Sequence, residues 1–307
     1  MSLRASAWRT SHTFAHTDFP VPGLAARRNV TVSVCLPARN EAATIGPIVT
    51  TLLQLRDRGV LDQVVVVDDS TDGTAQIARG LGAEVHEQEQ LQPELGPVLG
   101  KGDAMWRALP VLTGEIILFL DADTEGFGAH FVCGLLGPLL DRPEISFVKG
   151  FYRRPFRIGG QTLPDGGGRV TELTARPLLN LFYPELAGLH QPLAGEIGVR
   201  RDLLERLPFV TGYGVDIALL LDAHREEGLE ALAQVDLDVR QNAHQPLRDL
   251  GPMAFAVLHA VSTRLVRDGR LTGPLPGSFL AAGEETLCAL DSDPVERPPL
   301  RTLRVAA

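Results

Sequence analysis

Cysteine is scarce. Cys35, Cys133 and Cys288 are the only three in 307 residues. They lie far apart, are odd in number and form no metal-type pair, which excludes a disulfide framework and a zinc module built on closely spaced thiols. Cys35 and Cys133 fall in apolar runs and are expected to be reduced core residues, so a cytoplasmic location is the expectation. No run approaches the roughly 18 consecutive apolar residues of a membrane span, and the first 28 residues contain no apolar signal core. No membrane partner is expected. Positive charge is also in deficit, with 29 Lys and Arg against 38 Asp and Glu and a net charge of −9. That balance excludes broad nucleic-acid affinity and confines any anion binding to a local cationic pocket. The remainder, 44% hydrophobic and 22% charged, is that of an ordinary globular chain. There is no internal repeat.

Strand-like and helix-like segments alternate through the first half. The β-branched run 31–36 ends at Pro37, and apolar positions at helical spacing follow over 41–58. A buried strand spans 63–67, a capped turn leads into a helix over 74–81, and a short strand surrounds Val85. A helix over 101–112 and a strand over 115–120 follow. This order predicts an α/β fold with a parallel sheet covered on both faces by helices. In such sheets ligands bind beyond the carboxyl ends of the strands. The polar clusters at 37–41, 68–73 and 121–123 all stand there and are expected to meet in one crevice. The second half is less regular. A strand is expected over 145–152, a Gly-, Pro- and Arg-rich loop over 153–169, helices at 171–182, 202–206 and 214–227, and a strand at 232–240. A long apolar helix is expected over 247–267.

Three clusters carry chemistry. Asp121-Ala122-Asp123 ends a hydrophobic strand, and two carboxylates one residue apart can share a divalent cation, Mg²⁺ or Mn²⁺, that neutralises a departing diphosphate; a plain acidic surface turn is the alternative. Pro37-Ala38-Arg39-Asn40-Glu41 opens the first helix, where backbone N–H groups with Asn40 or Glu41 can hold a nucleotide, or where Asn40 and Glu41 simply cap and favour the helix. The turn around Ser70 carries a dense row of acceptors that capping alone does not require.

Together these clusters resemble the nucleotide-binding half of GT-A glycosyltransferases of the family 2 type. Further motifs narrow the resemblance: Gly100-Lys101-Gly102-Asp103, Phe151-Tyr152-Arg153-Arg154-Pro155, Gly166-Gly167-Gly168-Arg169-Val170-Thr171, Gln191-Pro192-Leu193-Ala194-Gly195-Glu196 and Gly212-Tyr213-Gly214-Val215-Asp216. In this order, over residues 30–268, the chain resembles the retaining transferases that glycosylate 3-phosphoglycerate, the glucosyl- and mannosyl-3-phosphoglycerate synthases. The resemblance implies a Rossmann-like nucleotide-sugar-binding sheet, a smaller acceptor region and a C-terminal helix. It implies glucose transfer from UDP-glucose, with mannose transfer from GDP-mannose as the sister activity. Pro37 to Glu41, Ser70, Lys101, Asp121 and Ala122 then bind the donor, and Asp123 holds the metal. Gly168, Arg169, Val170, Thr171, Tyr213 and Asn242 bind the acceptor. Asp216 and the backbone carbonyl of Leu193 serve the reaction beside Asp123. A homodimer is implied as well. A polyprenyl-phosphate transferase and an inactive nucleotide-sugar-binding module are more distant alternatives.

One segment departs from the pattern. The family has His-x-Asn after the last strand, with that His on the metal; here 240–247 reads RQNAHQPL, with Asn242 where the His belongs and His244 where the Asn belongs. His244 is expected as the metal ligand, since imidazole binds such ions better than an amide oxygen. By region, 1–29 is expected to be an arm, 30–150 the donor half, 151–268 the acceptor half with the long helix, and 269–307 a weakly ordered tail.

Overall fold

The computed structural model describes residues 3–158, 161–163, 167–241, 246–273, 275, 278–282, 287–291 and 295–304. Eight strands form one sheet: β1 (Thr13–Ala15), β2 (Val32–Ala38), β3 (Gln63–Asp68), β4 (Glu84–Glu87), β5 (Ile116–Phe119), β6 (Phe147–Arg153), β7 (Ile197–Arg200) and β8 (Leu232–Val239). Their order across the sheet is β1-β8-β6-β7-β5-β2-β3-β4. All neighbours are parallel except β7, which runs antiparallel to both β5 and β6. The central strands read as near-continuous apolar runs because both faces are covered. Cys35, Ile117 and Phe119 enter one core, and Val34, Leu36 and Leu118 enter the other.

The helices are α1 (Leu3–Ser11), α2 (Val21–Arg27), α3 (Ile45–Asp57), α4 (Thr74–Leu81), α5 (Lys101–Ala108), α6 (Ala129–Asp141), α7 (Arg176–Phe182), α8 (Arg201–Leu204), α9 (Val215–Glu227), α10 (Leu250–Arg267) and α11 (Leu300–Arg304). In α3 the buried residues are Ile45, Ile48, Val49, Leu52 and Leu55, the stripe that the 3.6-residue period demands. Helix α6 and strand β7 escape a reading of the sequence. Helix α6 is buried from Phe131 to Leu139, so it lacks the polar face that makes a helical period visible. Strand β7 contains Gly198, whose Cβ would stand 3.0 Å from both Leu118 Cδ2 and Leu139 Cδ1. Glycine is required there by packing, and it hides the strand.

Both ends of the chain differ from expectation. Residues before 30 are part of the fold rather than an arm: β1 is an edge strand of the sheet, and buried Trp8 donates its indole N–H to the Leu232 carbonyl at 3.1 Å. Phe19, Leu24 and Cys133 form a small core of their own. The expected tail is also docked in part. Glu296–Arg297 pairs with Phe209–Val210, and Leu300 is buried in the main core. The chain leaves β2 outward through β3 and β4 and returns to β5 on the other side of β2. That reversal opens a crevice above the carboxyl ends of β2 and β5.

Candidate active site

The two turns that follow β2 and β3 hold each other. Asn40 takes a left-handed backbone with φ 59°, a conformation Asn tolerates better than most residues. Its N–H donates to Ser70 Oγ at 2.7 Å, and its side-chain oxygen accepts the Thr71 N–H at 2.9 Å. Ser70 Oγ in turn donates to buried Asp68 at 2.7 Å, and the Glu41 N–H donates to Thr74 Oγ1 at 2.9 Å. Arg39 and Asp69 form an exposed pair at 3.6 Å. Pro37 and Ala38 are the last residues of β2, opposite Val67 and Asp68; Pro37 does not end the strand, because in this parallel pairing it continues the ladder.

Beyond β5, Thr44 Oγ1 donates to the Ala122 carbonyl at 2.6 Å and fixes the acidic turn. Asp121 receives two cations: Lys101 Nζ donates to Oδ1 at 2.8 Å, and Arg240 Nη1 stands 3.0 Å from Oδ2. Burial opposes ionisation of Asp121, yet Lys101 and then Arg240 hold its carboxyl well below the usual range. Arg240 also bonds Asp123 through Nη2. Gly195 makes the close approach possible, since a Cβ there would fall 2.3 Å from Asp121 Oδ2 and 2.5 Å from Lys101 Nζ. Glu41 faces the same acids. Burial, then repulsion by Asp123, pushes its carboxyl up to about 7.

Behind the acids lies a buried charge network. Arg240 Nη1 donates to Tyr152 Oη at 2.7 Å, and Tyr152 Oη donates to Glu196 at 2.8 Å. Lys101 Nζ also reaches Asp216 at 3.2 Å, and Lys149 Nζ donates to the Asp216 carbonyl at 3.1 Å. Burial lowers Lys149 to about 8, while burial raises the carboxyls of Asp216 and Glu196. The chain contains two lysines in all, and both are here.

A cavity of 410 Å³ joins these groups to the Gly168–Thr171 loop. Its walls include Glu41, Lys101, Asp121, Asp123, Asp216 and Arg240, together with Arg154, Gly168, Arg169, Val170, Thr171, Leu193 and Tyr213. Gly168 has φ 77°, the left-handed turn that starts the 171–182 helical segment. Burial, then Asp216, pushes the Tyr213 hydroxyl up to about 12. The structure thus brings Glu41, Lys101, Asp121, Asp123, Gly168, Arg169, Val170, Thr171, Leu193, Tyr213 and Asp216 to one cavity. Pro37, Ala38, Arg39, Asn40, Ser70 and Ala122 are not among the residues that line it. Asn242 and His244 lie outside the described residues. Arg240, Tyr152, Glu196, Lys149 and Arg154 had no role assigned from sequence; Tyr152, Arg154 and Arg240 stand at or just after the carboxyl ends of β6 and β8, whereas Lys149 lies within β6 and Glu196 directly precedes β7.

Among the described residues no three His, Cys, Asp or Glu side chains gather as a metal cage. Asp121 and Asp123 nevertheless fit a hard cation. They are oxygen donors on one turn, and the guanidinium that bridges them demonstrates the pull of the pair for positive charge. Mg²⁺-type ions are commonly held by one or two carboxylates with the balance from phosphate and water. Among the described residues no helix is long and apolar enough to cross a membrane.

Comparison with known proteins agrees with this geometry. Residues 33–162 match the model of glycosyl transferase family 2. The glucosyl-3-phosphoglycerate synthase of Petrotoga mobilis is 42% identical over 95% of this chain and 94% of its own length. The crystal structure of mannosyl-3-phosphoglycerate synthase from Rubrobacter xylanophilus superimposes with a TM-score of 0.90 at 46% identity, covering 97% of this chain and 98% of that one. The glucosyl-3-phosphoglycerate synthase of Mycobacterium tuberculosis, solved with Mn²⁺, UDP-glucose and phosphoglyceric acid, gives 0.83 at 42% identity, covering 93% and 96%.

Proposed function

The chain belongs to the glucosyl-3-phosphoglycerate synthase family of family 2 glycosyltransferases, and from that premise we propose that it transfers glucose from UDP-glucose to D-3-phosphoglycerate with retention at the anomeric carbon. The observation that carries this reading is a single cavity lined both by the acidic pair Asp121 and Asp123 and by the Gly168–Thr171 loop with Arg169. Asp121, Asp123 and His244 would hold a divalent ion, Mg²⁺ or Mn²⁺, which when bound would supply charge neutralisation for the departing nucleoside diphosphate. Lys101 is kept charged by Asp121 and Asp216 against the cost of its burial, so it stands ready as a fixed cation for the donor phosphates. Arg169 offers a planar fork, and Thr171 a hydroxyl at a helical start, to the acceptor's phosphate or carboxylate. Leu193 and Tyr213 line the wall between the two and position the acceptor hydroxyl, with Asn242 as a further acceptor contact. The protein's contribution is orientation and charge stabilisation rather than a pair of acid and nucleophile carboxylates.

In this reading residues 30–150 serve the donor and 151–268 the acceptor, in a cytoplasmic homodimer. The similarity to the Rubrobacter xylanophilus enzyme supports GDP-mannose as a second donor. A panel of UDP-glucose and GDP-mannose with 3-phosphoglycerate, read by nucleoside diphosphate release and product mass, decides between them. Turnover with neither donor in the presence of Mg²⁺ or Mn²⁺ would overturn the proposal.

A further inference from the structure

Residues 295–300 lie behind the cavity wall and touch both elements that build it. On one side the segment is a strand. Glu296–Arg297 pairs antiparallel with Phe209–Val210, the Thr211 N–H donates to the Val295 carbonyl at 2.9 Å, and the Val295 N–H donates to Thr211 Oγ1 at 3.0 Å. The paired strand runs directly into the 212–214 turn and α9, which carry Tyr213 and Asp216. On the other side Arg297 reaches α5. Its Nε and Nη2 donate to Asp103 Oδ1 and Oδ2 at 2.7 and 3.1 Å. Asp103 is fully buried in the first turn of α5, two residues after Lys101, and also accepts the Leu99 N–H at 3.0 Å and Arg107 Nε at 3.2 Å. Trp106, one turn further along, donates its indole N–H to the Pro298 carbonyl at 2.8 Å.

The two clamped elements meet without slack. A Cβ on Gly102 would stand 2.0 Å from the Val210 carbonyl oxygen, and one on Gly100 would stand 3.1 Å from Gly212 Cα. A shift of α5 is therefore transmitted to the 212–216 turn, and the reverse. Glu296 extends the same brace outward, pairing with Arg264 at 3.3 Å and with Arg267, both of which hold Asp222 of α9.

We propose that Arg297 is a positioning residue for glycosyl transfer: through Asp103 it sets the start of α5 and hence Lys101 Nζ, while its own strand sets the turn bearing Tyr213 and Asp216. This rests on the functional reading of Lys101 and Asp216 given above. Lys101 bonds Asp121 and Asp216 at 2.8 and 3.2 Å, so a small displacement of the helix start breaks the contact between the two halves of the cavity.

The test compares Arg297→Met and Arg297→Lys with the wild type. Because Lys101 and Lys149 are the only lysines, and Trp8 and Trp106 the only tryptophans, ¹³Cε-lysine and ¹⁵N-indole labelling give two signals each. In R297M the Lys101 and Trp106 signals should move and that of Trp8 should stay. Displacements of about 1 Å at reacting groups cost up to a hundredfold in rate, so kcat should fall about tenfold or more, with both KM values within about threefold. R297K restores the charge without the two-pronged fork and should recover only part of the rate. Should R297M fail to fold, R297K carries the same comparison. Moved Lys101 and Trp106 signals with unchanged kcat, or a loss of kcat with the Lys101 signal unmoved, would overturn the positioning role. A wild type inert towards both donors removes the functional reading alone, and the Lys101 signal still decides whether Arg297 positions that side chain.

Discussion

The two halves of the cavity are built by different means. At the turns after β2 and β3, proposed for the donor, Asn40, Ser70, Thr71 and buried Thr74 are held by hydrogen bonds among neutral groups and short acids, at little electrostatic cost. Where the two halves meet, the governing groups are Lys149, Glu196, Asp216 and Arg240, buried charges whose partners come from distant parts of the chain. Arg240, for example, is wired to Tyr152, Asp121 and Asp123. The first kind of site tolerates the loss of a bond because water can replace it. The second does not, because a buried charge left alone has no substitute for its partner.

The difference is broken most severely by Arg240→Met. It removes the cation shared by Asp121, Asp123 and Glu196, and breaking a buried ion pair from one side costs about 3–5 kcal/mol. Urea unfolding should register that loss, and transferase activity should fall at least about a hundredfold. A variant as stable and active as wild type would mean that the network is not a working unit. Asp123→Ala comes next. Its side chain is 39% exposed, so stability should change little or even rise, while turnover should fall by about a hundredfold or more if the acid holds the cation. The same variant should bind Mn²⁺ more weakly in calorimetry, and wild-type affinity and rate would sink the metal assignment.

This contrast also explains what could be read from the sequence. The strand-end clusters at 37–41, 68–73 and 121–123 were legible because each is contiguous and follows an apolar strand, so local order alone carried them to the crevice. The loop Gly168-Arg169-Val170-Thr171 was legible as a motif. Arg240, Tyr152, Glu196 and Lys149 were not given roles, since their meaning depends on which strands are neighbours. The antiparallel β7, which brings Glu196 next to Tyr152, was itself hidden by its glycine, Gly198. The edge strand β1 and the docked 295–300 segment were missed for a related reason: stretches this short gain their structure from long-range pairing, not from local period.

A milder probe of the acceptor wall is Arg169→Ala. A charge-assisted fork to phosphate or carboxylate contributes about 1.5–3 kcal/mol, so KM for 3-phosphoglycerate should rise roughly ten- to a hundredfold while the donor KM holds. Equal shifts in both constants would remove Arg169 as an acceptor clamp and move it to the donor side of the comparison.

The smallest expected effect tests whether the buried charges differ among themselves, and the two lysines make it measurable. Burial lowers Lys149 from its ordinary 10.5 to about 8, against the pull of Asp216, whereas Asp121 and Asp216 keep Lys101 above its ordinary value despite burial. The sign for stability follows from proton counting. Between about 8 and 10.5 the unfolded chain still holds the Lys149 proton and the folded protein has lost it, so raising the pH across that window favours folding. Below about 8 both states carry the proton, and the cost of burying the charge is constant. Lys101 works the other way, since its folded form keeps the proton longer than the unfolded chain. Lys149→Met should therefore flatten the rise in stability through this window by about 1–3 kcal/mol relative to wild type, at about 1.4 kcal/mol per pKa unit. The ¹³Cε signals give a direct reading without unfolding: one should titrate near 8 and vanish in K149M, and the other should not titrate below 10.5. Two lysines titrating together above 10 would erase the distinction, and with it the claim that Lys149 is held in the site chiefly by the fold while Lys101 is held by its acids.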